Sequence, residues 1–216
     1  MPNLPQLSEG EFRRRLTSLS PEPLSEQSLR ALHAHYEELR RWAPQLALIG
    51  EATADEALER HFGEALAALP WIPEPEGALV DVGSGAGFPG LVLAATRPGW
   101  RVTLVEARQK KWAFLMSVCR KAALSCRCLD ARVGDPLPEG VPEAIDLVTA
   151  RAIRLPAGDL ALLLDRLTPA GRALFWAGEA DPELPAGWAA RTLARLPGSE
   201  HRRIVEVRRH HDTDRP

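Results

Sequence analysis

Lysine is scarce in this chain. Of its 27 basic residues only Lys110, Lys111 and Lys121 are lysines, an arginine bias read first as a habit of codon composition. The formal charge of −2 rules out the global polycation that would announce nucleic-acid binding, so any such contact must come from local clusters. Cysteine is limited to Cys119, Cys126 and Cys128, an odd number without a C-x-x-C pair. That excludes a disulfide framework and a cysteine metal site, and it fits a reducing cytoplasm. The Cys126-x-Cys128 pair reads as packing at a strand edge. No apolar run approaches about 18 residues, and no basic-then-apolar leader opens the chain, so a soluble protein away from membranes is expected. Internal repeats and low-complexity tracts are missing too.

What is present is organised around one stretch. Ala78 to Val82 is an apolar run, interrupted by Asp81, that breaks into Gly83, Gly85, Gly87 and Gly90. It reads as a buried parallel strand entering a tight turn and then a helix. The glycines let a ligand approach the backbone and let the turn adopt positive φ. A second strand, Val102 to Glu106, ends in a carboxylate about 20 residues on, where a ribose diol would lie. Two ligands fit. Gly85 to Gly90 satisfies the dinucleotide G-x-G-x-x-G pattern, which alone is permissive. The flanks, Asp81 and the compact Gly83-x-Gly85-x-Gly87, are similar instead to motif I of class I S-adenosylmethionine methyltransferases.

Before this cradle the chain is helical. Ser8 and Glu11 form a capping box for a helix over 9–19, ended by Pro21 and Pro23. Ser25 caps a second helix carrying Leu29, Leu32, Tyr36 and Leu39 on one stripe to Trp42. Thr53 and Glu56 suggest a third, with its apolar side running from Ala57 to Leu69. Residues 1–73 are thus expected to form a helical cap, which either covers the sheet or presents Arg13, Arg14, Arg15, Arg40, Arg41, Arg60 and His61 to phosphates. Residues 74–216 form the second unit, joined through the Pro-rich link 70–77.

After the cradle, strands and helices alternate: helices over 91–95, 109–123 and 159–167, with strands over 126–129, 145–150 and 172–176. Alternation of this kind implies an α/β fold with a parallel sheet. Two alternating runs, 189–196 and 203–209, joined through Pro197-Gly198-Ser199, read as a final antiparallel hairpin. Such a hairpin belongs to the class I methyltransferase sheet and not to the dinucleotide fold.

Methyl transfer is an in-line displacement, so a base is needed only when the acceptor must lose a proton. Amine methylases carry an N-P-P-Y-like tetrapeptide after the fourth strand, where this chain has Thr149-Ala150-Arg151-Ala152. Pyrimidine C5 enzymes need a cysteine at that place, and ribose 2′-O enzymes need more lysines than one helix supplies here. A ring nitrogen with a lone pair, such as guanine N7, requires no base.

The strings from Asp81 to Gly90, Leu104 to Ala107 with Lys110-Lys111, and Asp146 to Ala152 resemble the RsmG (GidB) family, bacterial methyltransferases of a guanine N7 in small-subunit ribosomal RNA. Arg60-His61 is similar to the family's R-H element. The resemblance implies S-adenosylmethionine as cofactor, held around Asp81, Gly83, Ser84, Gly85, Gly87, Phe88, Glu106 and Ala107, with Arg132 and Asp135 near a shifted R-A-E element. It implies catalytic roles for Arg151 and His61 and substrate contacts from Lys110, Lys111, Arg60 and Arg151. No metal is implied, and the expected partner of the monomer is ribosomal RNA or the 30S subunit. The family's lysine-glycine after the fifth strand is Ala177-Gly178 here. Another RNA or a small molecule as acceptor, or a catalytically silent cofactor-binding or ribosome-binding module, are the alternatives.

Overall fold

The computed structural model describes residues 4–50 and 56–210. It opens with helix α1 (Glu9–Leu19), in which the Ser8 hydroxyl accepts the Glu11 amide, and α2 (Glu26–Trp42), capped in the same way by Ser25. Both begin where the capping signals place them. Thr53, of the third capping signal, lies outside the described residues. The segment expected as one long helix is instead a π-helical turn, Leu58–Gly63, running into a short α3 (Glu64–Leu66) and a 3-10 turn, Leu69–Trp71. Gly63 lies against Leu19 of α1, where a Cβ would stand at ordinary contact distance, 3.5 Å.

Among the described residues the sheet has seven strands: β1 (Gly77–Val82), β2 (Trp100–Glu106), β3 (Arg127–Asp130), β4 (Ile145–Arg151), β5 (Leu167–Ala177), β6 (Trp188–Arg195) and β7 (Arg203–Arg209). Their spatial order is β3-β2-β1-β4-β5-β7-β6. The first five are parallel, and β7 runs antiparallel between β5 and β6. Helices α4 (Gly90–Thr96), α5 (Gln109–Lys121) and α6 (Ala157–Leu164) link parallel neighbours. Helical crossovers are what parallel pairing demands.

Alternate residues of each strand enter opposite apolar layers. Leu79, Leu104, Leu147, Leu174 and Ile204 join a core with α2, α4 and α5, while Val80, Val105, Val148, Phe175 and Val205 face α6. The first core also contains Phe12, Leu32, Tyr36 and Phe62, so the N-terminal helices are packed on the sheet through continuous hydrophobic contact. β3 is an edge strand, and there the Cys128 and Cys119 sulfurs lie 3.8 Å apart as free thiols. Among the described residues no helix is long and apolar enough to cross a membrane.

The strand order reverses between β1 and β4. In open α/β sheets the crevice beyond the strand ends at such a reversal is where ligands bind. The register brings Val82, Val105 and Ala150 level, so the residues that follow them emerge at one rim.

Candidate active site

A cleft of about 820 Å³ opens at that rim. On one wall is the turn that follows β1. Gly83 and Gly85 have φ of +65° and +55°, and a Cβ on Gly83 would come within 2.8 Å of Ile153. Gly85 is different: its nearest neighbour to a Cβ would be a backbone oxygen at 3.6 Å, so its face is open toward the cleft.

Glu106 closes this wall from the end of β2. Its Oε2 accepts the Gly85 amide at 2.8 Å and its Oε1 accepts the Arg108 amide at 2.8 Å. A carboxylate has about four lone-pair sites, so two remain after these bonds. Lys111 also lines the cleft, and burial, with the neighbouring Arg108, holds its pKa below the usual lysine range.

On the opposite side β4 delivers Arg151. Its Nη2 donates to the Arg60 carbonyl at 2.6 Å and lies 2.9 Å from Glu64 Oε2 and 3.1 Å from His61 Nδ1. The π-helical turn supplies two of these partners, and such turns often sit at functional sites. Glu64 is buried and is also ion-paired with Arg60 and Arg202, so one carboxylate is shared by three guanidinium groups. Burial and the adjacent Arg151 push the His61 pKa down to about 3, so the ring is neutral at physiological pH. A guanidinium can only donate. His61 Nδ1 is therefore the acceptor of that contact, and the ring proton is on Nε2.

Of the expected cofactor residues, Gly83, Ser84, Gly85, Phe88, Glu106, Ala107 and Arg132 line the cleft. Asp81, Gly87 and Asp135 do not. Asp81 is fully buried; its Oδ1 accepts the Thr149 hydroxyl at 2.7 Å, and desolvation raises its pKa to about 6. It supports the turn from beneath, where a Cβ on Gly90 would meet its carboxylate at 2.6 Å. Gly87 faces Leu91 and His35. Of the expected substrate residues, Arg151 and Lys111 reach the cleft together with His61, whereas Lys110 is exposed outside it and Arg60 points to Glu64.

Most of the cap arginines proposed for phosphate contact are paired within the protein, Arg13 with Glu9 and Glu26, Arg15 with Glu59, Arg40 with Glu37 and Arg41 with Glu38, while Arg14 is exposed on α1 away from the cleft. The cations that ring the cleft are others, Arg108, Arg132 and Arg154 beside Lys111 and Arg151. Against them stand Glu106 and Asp159. The cleft is thus locally positive on a chain whose net charge is −2. Ile153, which the sequence pattern did not single out, stands at the rim over Gly83 with 37% of its surface exposed. Its only sequence signal is its place two residues beyond Arg151.

A family model described as rRNA small subunit methyltransferase G (GidB) matches residues 28–185. The ribosomal RNA small subunit methyltransferase G of Desulfotalea psychrophila is 36% identical over 166 residues, covering 72% of this chain and 76% of that protein. The protein of the same name from Myxococcus xanthus is 39% identical over 183 residues, covering 79% and 82%. Among solved structures, an rRNA methylase from Streptococcus thermophilus superimposes with a TM-score of 0.52 at 15% identity, over 70% of this chain and 98% of that one. That likeness shows the fold, a class I Rossmann-like methyltransferase sheet.

Proposed function

This chain belongs to the rRNA small subunit methyltransferase G family, and from that premise we propose that it transfers a methyl group from S-adenosylmethionine to N7 of a guanine in 16S ribosomal RNA. The observation that carries the reading is the pairing of Glu106 and the open Gly85 backbone on one wall with Arg151 and His61 on the other.

The residues fit the cofactor. Glu106, with two acceptor sites in reserve, would hold the ribose hydroxyls, and the Gly83 to Gly85 backbone would face the amino-acid end. When bound, S-adenosylmethionine supplies an electrophilic methyl group on a sulfonium.

The chain's own residues then have little proton chemistry to perform. His61 cannot serve as a general base: its Nδ1 lone pair is engaged by Arg151, and its proton affinity is too low. That suits guanine N7, which attacks through a lone pair and sheds no proton in the transfer. Arg151, locked by the Arg60 carbonyl, His61 and Glu64, is a rigid donor beside the acceptor, and catalysis of this type is mainly alignment. Arg108, Lys111, Arg132 and Arg154 would receive the RNA phosphates around the rim.

We place the reaction in the cytoplasm, on ribosomal RNA or the 30S subunit, with the protein acting as a monomer. The test is transfer of labelled methyl from S-adenosylmethionine to 30S subunits that lack the modification, with the site mapped by cleavage at N7-methylguanine. Label confined to one guanine N7 is expected. Cofactor binding without transfer to 30S subunits or to naked 16S RNA would overturn the acceptor assignment, and lack of cofactor binding would overturn the whole reading.

A further inference from the structure

Phe88, which follows the glycine turn, has two imidazoles stacked on it. The ring of His35 lies 4.9 Å from it at 28° and that of His61 5.3 Å from it at 25°. His61 belongs to the site described above. His35 does not; it comes from α2, more than 50 residues earlier in the chain, and is 1% exposed.

His35 Nε2 lies 2.8 Å from the Ala86 carbonyl. A carbonyl can only accept, so Nε2 carries the proton. Burial holds the ring neutral, with a pKa of about 4, which leaves Nδ1 as an acceptor. That Nδ1 is buried and meets no hydrogen-bond donor among the described residues. An orphaned acceptor of this kind is a burden that a phenylalanine in the same aromatic cluster, beside Phe62 and Phe114, would not carry. What phenylalanine would not provide is the bond to Ala86.

That bond controls a peptide plane. The Ala86 carbonyl and the Gly87 amide are two edges of one planar unit. The Gly87 amide donates to the Ser84 carbonyl at 2.6 Å. With the opposite edge held by His35, the unit cannot flip, and the Ser84 to Gly87 turn keeps the open face of Gly85 toward the cleft. Gly87 itself, at φ +84°, has His35 Cε1 at 3.2 Å from where a Cβ would stand.

We infer that His35, contributed by an N-terminal helix and not by the glycine turn, is a positioning residue for the cofactor site, fixing the Ala86–Gly87 peptide and the Phe88 ring. The inference rests on the S-adenosylmethionine reading above. It makes α2 part of the binding apparatus: the stack runs from His35 through Phe88 to His61, and His61 is bonded to Arg151.

Two substitutions separate the bond from the packing. His35→Phe keeps an aromatic ring and loses the donor, whereas His35→Gln places an amide N–H near the position of Nε2. Three quantities are read on the full-length protein: the S-adenosylmethionine dissociation constant by calorimetry, hydrogen exchange at the Gly87 amide without cofactor, and the thermal midpoint. H35F is expected to weaken cofactor binding about tenfold and to lose protection at Gly87. H35Q is expected to recover binding and protection to within about threefold, even where its thermal midpoint is the lower of the two. Unchanged binding and protection in a folded H35F would overturn the inference and leave the cofactor reading standing. Weakening in both variants in proportion to lost stability would likewise reduce His35 to a packing residue. Should H35F fail to fold, H35Q decides: binding and protection near wild type support the role, and their loss in a folded protein overturns it. A wild-type protein that binds no cofactor would overturn the parent reading together with this one.

Discussion

The carboxylate of Glu106 and the amide of Gly85 meet at 2.8 Å, joining the end of one strand to the turn that leaves its neighbour. The same carboxylate that would hold ribose hydroxyls therefore also fixes the turn that receives the rest of the cofactor. Glu106→Ala removes both functions. Calorimetry should show S-adenosylmethionine affinity falling by about a hundredfold, equivalent to about 2.7 kcal/mol. Glu106→Gln, which keeps an acceptor for one of the two amides, should lose less; equal affinity in E106A and wild type would remove Glu106 from the site.

Arg151 tests whether alignment carries the catalysis. Its Nη2 lies against the Arg60 carbonyl, His61 Nδ1 and Glu64 Oε2 while its Nη1 approaches the His61 carbonyl, and the shorter lysine side chain, with a single nitrogen, cannot reproduce that placement. Arg151→Lys should lower kcat by about a hundredfold, the scale of a misplacement near 1 Å. Cofactor affinity should stay within a few-fold of wild type. A near-normal kcat in R151K would mean that charge alone suffices.

Glu64 is the shared counter-ion of Arg60, Arg151 and Arg202. Removing its charge strands three guanidinium groups, and breaking a buried pair from one side costs about 3–5 kcal/mol. Urea unfolding of Glu64→Gln should show a loss of that size. A loss below about 1 kcal/mol would mean that water screens the cluster.

Stability between pH 6.5 and 4 sets two imidazoles against one carboxyl. His35 and His61 have native pKa values of about 4 and about 3, below the ordinary 6.5, so acid protonates the unfolded chain first and stability falls. Each contributes a slope of about 1.4 kcal/mol per pH unit. Asp81 works the other way: its native pKa of about 6 lies above the ordinary 3.8, so the folded protein takes up that proton first as pH falls from 6 to 4. The net expectation is a loss of about 1.4 kcal/mol per pH unit over that interval. Asp81→Asn removes the opposing contribution and should about double the slope in urea titrations at pH 4, 5 and 6. An identical slope in D81N would show that Asp81 titrates normally.

Phosphate recognition at the rim should appear as salt dependence. For single-stranded nucleic acid the log–log slope is about −0.7 per neutralised phosphate. Arg108→Ala, Arg132→Ala and Arg154→Ala should each flatten the slope for 16S RNA binding by about 0.7, measured by filter binding. Arg13→Ala and Arg15→Ala, whose side chains are committed to Glu9, Glu26 and Glu59, should leave it unchanged.

Much of the fold was legible because the chain punctuates it strongly. Ser8, Ser25 and the prolines at 21 and 23 bound the first two helices, and the glycines after Val82 mark the turn. The π-helical turn over Leu58–Gly63 was not legible, since its apolar residues suit an ordinary helix and only packing against α1 and Arg151 distinguishes it. β5 begins five residues earlier than its apolar run, at Leu167. Pro169 and Gly171 hide that start, and they fall where the pairing with β4 skips register between Ile145 and Leu147. A proline is tolerated at such an irregularity. Within the site, Glu106 and the glycines follow from local pattern. Glu64, His35 and Ile153 do not, because their importance arises only when separate elements meet: Glu64 gathers arginines from three parts of the chain, and His35 touches a turn far along it. Lys110 and Lys111 are adjacent and identical in type, and only the orientation of α5 turns one toward the cleft.

Among the described residues the last strand in sequence is not the last in the sheet. β7 lies between β5 and β6, so β6 has no neighbour until β7 has been made, and Arg202 at the head of β7 brings Glu64 one of its counter-ions. During synthesis, then, the cofactor half can assemble while the molecule as a whole is still open on one flank. A polypeptide cut short before residue 202 would not be a smaller version of this protein. It would expose an unpaired β5 edge and keep a buried acid short of positive charge, and such a product is a ready substrate for cellular proteases.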